Sequence, residues 1–116
     1  MEPFSHDCHV TRAGNHVWVS GMVGVRPDGS IPKDVVEQFQ LAIETIDRCL
    51  KAAGAKAQNV VKVTVLLVDI NDRTAINPIR QAYFGEDLPA STLFEVSALV
   101  SPEMKVEIDV EAVIDG

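Results

Sequence analysis

Positive charge is in short supply in this chain. Its 116 residues hold 10 Lys and Arg against 17 Asp and Glu, a formal charge of −7. Phosphate backbones are gripped by clustered Lys and Arg with release of counterions. The balance therefore argues against a nucleic-acid partner, and equally against an anionic membrane. Cysteine is scarce as well. Cys8 and Cys49 fit neither a zinc spacing nor a CxxC motif. Cys49 falls on the apolar side of a predicted helix, so a buried thiol is expected there and a disulfide is not. The longest apolar run, "VTVLLV", is far too short to span a bilayer. The opening "MEPFSHDCHV" lacks the basic and apolar regions of a secretory signal. A reducing, cytoplasmic location is the expectation.

Several chemical signatures are missing too. Gly21 and Gly24 in "SGMVG" do not make a GxGxxG phosphate loop. Ser20 lies in no GxSxG elbow, so a donor role fits it better than a nucleophilic one. His6, His9 and His16 gather near the start, but tetrahedral metal sites need further ligands and none is signalled. A metal site is not expected.

What is present is regular patterning over one expected domain, residues 1–116. "HVTRAGNHVWVSGMVGV" reads as two strands joined at Ala13-Gly14-Asn15, because Gly-Asn is a hairpin signal. A helix follows. Asp34 is its expected N-cap, and Glu37 completes a capping-box-like pair. Val36, Phe39, Ile43, Ile46 and Leu50 recur at helical spacing, with Glu37 and Gln38 outside that stripe. Gly54 ends the helix. In the strand "NVVKVTVLLV", Val61, Val63, Val65 and Leu67 make one apolar face. Lys62, Thr64, Leu66 and Val68 make the other, which another subunit could cover. A second helix is expected after Asn71 or Asp72. Its regular part should begin close to Pro78, since proline breaks a helix interior, and Gly85 should end it. "STLFEVSALV" and "MKVEIDVEAVID" read as two more strands. The sum is an α+β domain, with two helices covering one face of a mixed sheet.

The last strand raises its own question. Glu107, Asp109 and Glu111 alternate onto one side. Such a row is ordinarily a solvated face. One member placed in a cleft would have a raised pKa and could move protons. Alternation alone does not choose among the three.

Several segments in order resemble the Rid (YjgF/L-PSP) family of reactive-intermediate deaminases. "EPFSH" is similar to its GPYSH-type opening, and "RAGNHVWVSGMVGVRPDG" to its RAGN…SGQ segment. "AAGAKAQNVVKVTVLLVDINDRTAIN" is similar to its AAG…NVVK…ND…N stretch, "YFGEDLPAST" to FFGE…PARST, and "KVEIDVEAV" to its VEIEA-type ending. The resemblance implies a chorismate-mutase-like fold, a homotrimer with clefts between subunits, and hydrolysis of an imine or enamine without metal or cofactor. It implies a small-molecule substrate, with the chain itself as protein partner. By position, Glu107 matches the residue that activates water. Ser20 and Asn77 match the pocket serine and asparagine.

Three positions depart from the family pattern. Ser91 stands where the family's arginine clamps the substrate carboxylate, Phe4 replaces a tyrosine, and Met22 replaces a glutamine. A serine cannot do the work of a guanidinium fork. This predicts weak activity on 2-aminoacrylate-type imines and leaves an aminomuconate-type substrate as a candidate. Arg12, Arg26, Arg73 or Arg80 would then have to hold the substrate's acid group. The alternative is a non-catalytic trimer that binds a small molecule, as a sensor or interaction module.

Overall fold

The structure is a computed structural model and describes residues 9–85 and 89–115. Strands β1 (Val10–Ala13) and β2 (His16–Val23) form the expected hairpin. Helix α1 (Val35–Ala52), strand β3 (Val60–Leu67), helix α2 (Arg73–Phe84), and strands β4 (Ala90–Glu95) and β5 (Val106–Val113) follow. The sheet order is β1-β2-β5-β3-β4. Only β3 and β4 run parallel, joined through α2; the other neighbours are antiparallel. Among the described residues no helix is long and apolar enough to cross a membrane.

One face of the sheet supplies the core. Val17 and Val19 of β2, Val63, Val65 and Leu67 of β3, and Val106, Ile108, Val110 and Ala112 of β5 are buried. They pack with Phe39, Ala42, Ile43, Ile46 and Leu50 of α1. Burying such side chains stabilises by about 1.5–3 kcal/mol each for the larger ones. Cys49 lies in this core but is disulfide-bonded, which corrects the expected thiol. The other cysteine, Cys8, falls outside the described residues.

The helix ends show where local rules held and where tertiary contacts took over. Asp34 caps α1 by accepting from the Val36 N–H at 3.3 Å. Glu37 does not close a capping box; its carboxylate takes Arg26 at 3.0 Å instead. Gly54 ends the helix at φ +88°, and the Arg12 guanidinium donates to the Ala53 carbonyl at 2.7 Å. That contact places a cation at the negative end of the helix.

Three other expectations are corrected. Gln38 is fully buried rather than on the wet side, because backbone groups satisfy its amide. Val61 is 46% exposed, since an irregularity in the β3–β5 pairing between Val60 and Lys62 puts Val60 inward in its place. Helix α2 starts five residues before Pro78 and contains it. Pro78 is exposed, so its ring meets solvent, and the cost is the hydrogen bond it cannot donate back to Thr74.

Gly24, just beyond β2, crosses directly over α1. A Cβ there would collide with the backbone carbonyl oxygen and Cα of Gln38. Backbone cannot yield as a flexible side chain can, so Gly24→Ala should lower stability by about 2–3 kcal/mol. The check is a urea titration, with a reduced midpoint and an unchanged slope.

Candidate functional site

Among the described residues, the face of the sheet opposite the helices has no helix over it, and strand register arranges it in rows. Trp18, Glu111 and Lys62 make one row. The Ser20-Gly21 bulge, Asp109, Thr64 and Thr92 make the next. Val23, Glu107, Leu66 and Phe94 make the third. The three acids that alternation could not separate therefore have different surroundings.

Glu111 is in register with Lys62. Asp109 accepts the Gly21 N–H at 2.6 Å, which fixes the bulge where two β2 residues face one residue of β5. Gly21 sits there at φ +70°, a conformation that suits glycine. Glu107 has Val23 and Leu66 as cross-strand neighbours. Partial burial raises its pKa, and the negative charge of Asp109 adds to the shift. Of the three, Glu107 is the one poised to hold or exchange a proton.

Ser20 is exposed on the bulge, and its N–H reaches the His9 carbonyl at 3.2 Å. Sequence reasoning missed Asp109 as the residue that positions this segment. Gly21 was the available signal, because glycine inside a strand often marks a bulge. Met22, the candidate at the family's glutamine position, lies apart from Glu107. It is 4% exposed and in register with Ile108, on the covered face. Phe4 lies outside the described residues.

Asn77 and Ser91 meet elsewhere. Ser91 is in register with buried Val63, so its side chain is on the helix side of the edge strand β4. Helix α2 presents Arg73, Asn77 and Arg80 on one face, at spacings of four and three. The Arg80 guanidinium donates to Asn77 Oδ1 at 2.8 and 3.2 Å, and to Ser91 Oγ at 3.3 Å. Together with Ile70 and Leu93 these residues line a cavity of about 490 Å³. A larger groove of about 630 Å³ between the end of β2 and α1 takes in Met22 but none of Ser20, Asn77, Ser91 or Glu107.

The expected site is thus split within one chain. Glu107 and Ser20 are on the face that the helices leave open, while Asn77 and Ser91 are on the other. Among the described residues, no three His, Cys, Asp or Glu side chains gather closely enough to hold a metal ion.

A mixed five-stranded sheet with two helices on one face and a bulged β2 defines an α+β domain of the chorismate-mutase-like type. The chain belongs to the Rid (YjgF/L-PSP) family: the family profile described as Endoribonuclease L-PSP matches residues 1–114. It is 40% identical over 113 residues to the mouse protein named 2-iminobutanoate/2-iminopropanoate deaminase, covering 96% of this chain and 81% of that one. It is similar in structure to RidA from the Antarctic bacterium Psychrobacter sp. PAMC 21119, with a TM-score of 0.90 and 27% identity over 98% of this chain and 100% of that one. Escherichia coli TdcF with bound serine gives a TM-score of 0.85 and 32% identity, over 91% of this chain and 86% of that one.

The raised pKa of Glu107 has a stability consequence. The folded chain holds this proton more tightly than the unfolded chain does. The group's favourable contribution is complete below the unfolded carboxylate pKa and is lost as pH rises through the folded value. Glu107→Gln cannot ionise, so it should be more stable than the parent at neutral pH and similar to it at acidic pH. Thermal melts at the two pH values check this. A variant less stable at neutral pH would mean that the carboxylate is not strained there.

Proposed function

We propose that this protein is an imine or enamine deaminase, a hydrolase whose cleft is completed by a second copy of the chain in a homotrimer. The observation that carries the reading is the placement of Glu107. It is a half-buried carboxylate with a raised pKa, between Val23 and Leu66 on the sheet face that the two helices leave open. The division of the site supports an inter-subunit cleft, because one ligand cannot touch both faces of a sheet. Assembly would also cover Phe94 and Trp18, which are 44% and 36% exposed.

In this reading an enamine first moves a proton from nitrogen to carbon to become the imine. A water held at Glu107 gives the carboxylate a proton as its oxygen bonds to the imine carbon. Glu107 hands that proton on to the nitrogen, forming a neutral carbinolamine and restoring the carboxylate. Glu107 then passes the hydroxyl proton to nitrogen, the carbon–nitrogen bond breaks, and ammonia leaves a keto group behind. Ser20 and the neighbouring bulge backbone would orient the substrate. Positioning and proton transfer supply most of the catalysis for an electrophilic carbon.

The substrate is a small reactive metabolite. Ser91 at the arginine position predicts poor turnover of 2-aminoacrylate and favours an aminomuconate-type enamine. Binding without turnover is the second reading, favoured by the serine bound to TdcF.

The test is an ammonia-release screen with 2-aminoacrylate, branched-chain imines and aminomuconates side by side. Glu107→Ala should lower release from the best substrate by about 10²–10⁴-fold while leaving the oligomer intact on gel filtration. Unchanged release in that variant would overturn the role of Glu107. Binding of these acids or their keto products with no turnover would favour the second reading.

A further inference from the structure

The missing arginine of β4 leaves a question of charge, and the four other candidate arginines are not equivalent. Arg12 is committed to the end of α1 through the Ala53 carbonyl. Arg26 is paired with Glu37. Arg80 differs from both. Its hydrogen-bond partners are the neutral side chains of Asn77 and Ser91. Of the five N–H groups of a guanidinium, these bonds use three and leave two. Arg73 lines the same cavity; among the described residues its walls include no Asp or Glu, and one acid, Glu95, accepts the N–H of the wall residue Ile70 at 2.9 Å. Among the described residues, neither Arg73 nor Arg80 forms an ion pair.

Two arginines with no ion-pair partner among the described residues thus stand beside one cavity in a chain of charge −7. Two guanidinium groups beside one cavity favour the binding of an anion there. The Arg80 fork is also held in place before any ligand arrives. Asn77 Oδ1 takes two of its N–H groups and Ser91 steadies a third, so less side-chain freedom is lost on binding. Ser91 is small enough to leave the space that an arginine there would fill.

We propose that Arg80 is the carboxylate-binding residue of this cavity, supplied by α2 in place of β4, and that with Arg73 it selects a small acid carrying two carboxylates. Arg73 and Arg80 are seven residues apart, so their Cα atoms are separated by about 10 Å along the helix. That spacing suits one carboxylate at each end of a short chain better than two contacts to one group. Asn77 and Ser91 are positioning residues that act through Arg80.

The inference rests on the deaminase reading only for the identity of the substrate, so its test uses binding rather than turnover. The probes are 2-oxobutanoate and 2-oxoglutarate, stable keto acids with one and two carboxylates, and 2-oxobutanamide as an uncharged control. Calorimetry on the assembled protein should show tighter binding of 2-oxoglutarate. Arg80→Gln should weaken both acids by at least about tenfold and leave the amide unchanged. Arg80→Lys, which keeps the charge without the fork, should fall between. Arg73→Gln should weaken 2-oxoglutarate alone.

Unchanged acid affinity in a folded Arg80→Gln protein overturns the proposal, as does failure of either acid to bind the parent. Equal affinity for the two acids overturns the part assigned to Arg73. If the acids bind through Arg80 but no imine is hydrolysed, the deaminase reading fails and the inference stands. If imines are hydrolysed equally well by Arg80→Gln, the reverse holds.

Discussion

The contact between Gly24 and the backbone of Gln38 sets the geometry on which the site depends. It lets α1 approach the end of β2 without an intervening side chain. Gln38 can then be fully buried, with its amide donating to the carbonyls of Pro32 at 2.7 Å and Glu103 at 3.0 Å. Its own carbonyl accepts the Lys105 N–H at 2.9 Å. A buried amide is tolerable only when its groups are paired, and here the pairing ties three segments together. Lys105 immediately precedes β5, and Glu107 is two residues further on. The start of the strand that carries the acid is therefore fixed by the helix on the far side of the sheet.

With β5 fixed, cross-strand register determines the chemistry of its acids. A one-residue shift would turn Glu107 to the core and Ile108 to the open face. The bulge at Ser20-Gly21 absorbs an extra residue in β2 without such a shift, and Asp109 holds it. Val23 beyond the bulge comes into register with Glu107 as a result. An apolar neighbour on each side withdraws water from the carboxylate, and withdrawal of water disfavours its charged form.

Element order, hairpin, helix caps and the alternation of β5 were legible in the sequence because each rests on local rules. Asp34, Gly54 and Gly85 act where propensity placed them. The errors arose where distant contacts decide. Gln38 looks like a surface residue until the turn before β5 is folded against it. Glu37 had a local partner available and took Arg26 instead. The irregularity that exposes Val61 leaves no mark in a run of valines. Alternation presented three equivalent acids on β5, and only their neighbours on β2 and β3 make them different. Resemblance placed Ser20, Asn77, Ser91 and Glu107 in a cleft between subunits, and within one chain the sheet separates Ser20 and Glu107 from Asn77 and Ser91. Sequence position does not record which face of a sheet, or which copy of a chain, a residue serves.

Ser91 shows the same limit from the other direction. Read along the chain, it is a lost arginine, and the lost charge argues against binding an acid. Read in space, a guanidinium is still present at that point, because Arg80 reaches across from α2 and touches the serine hydroxyl. What recognises a carboxylate is the position and orientation of N–H groups and charge, not the strand from which they come. The short side chain of Ser91 and the charge of Arg80 are thus two parts of one arrangement. An arginine at position 91 would place a second guanidinium against the first, and the repulsion between them would have to be relieved by moving one away. Substitution on β4 and cation on α2 are therefore coupled physically, and neither can be interpreted without the other.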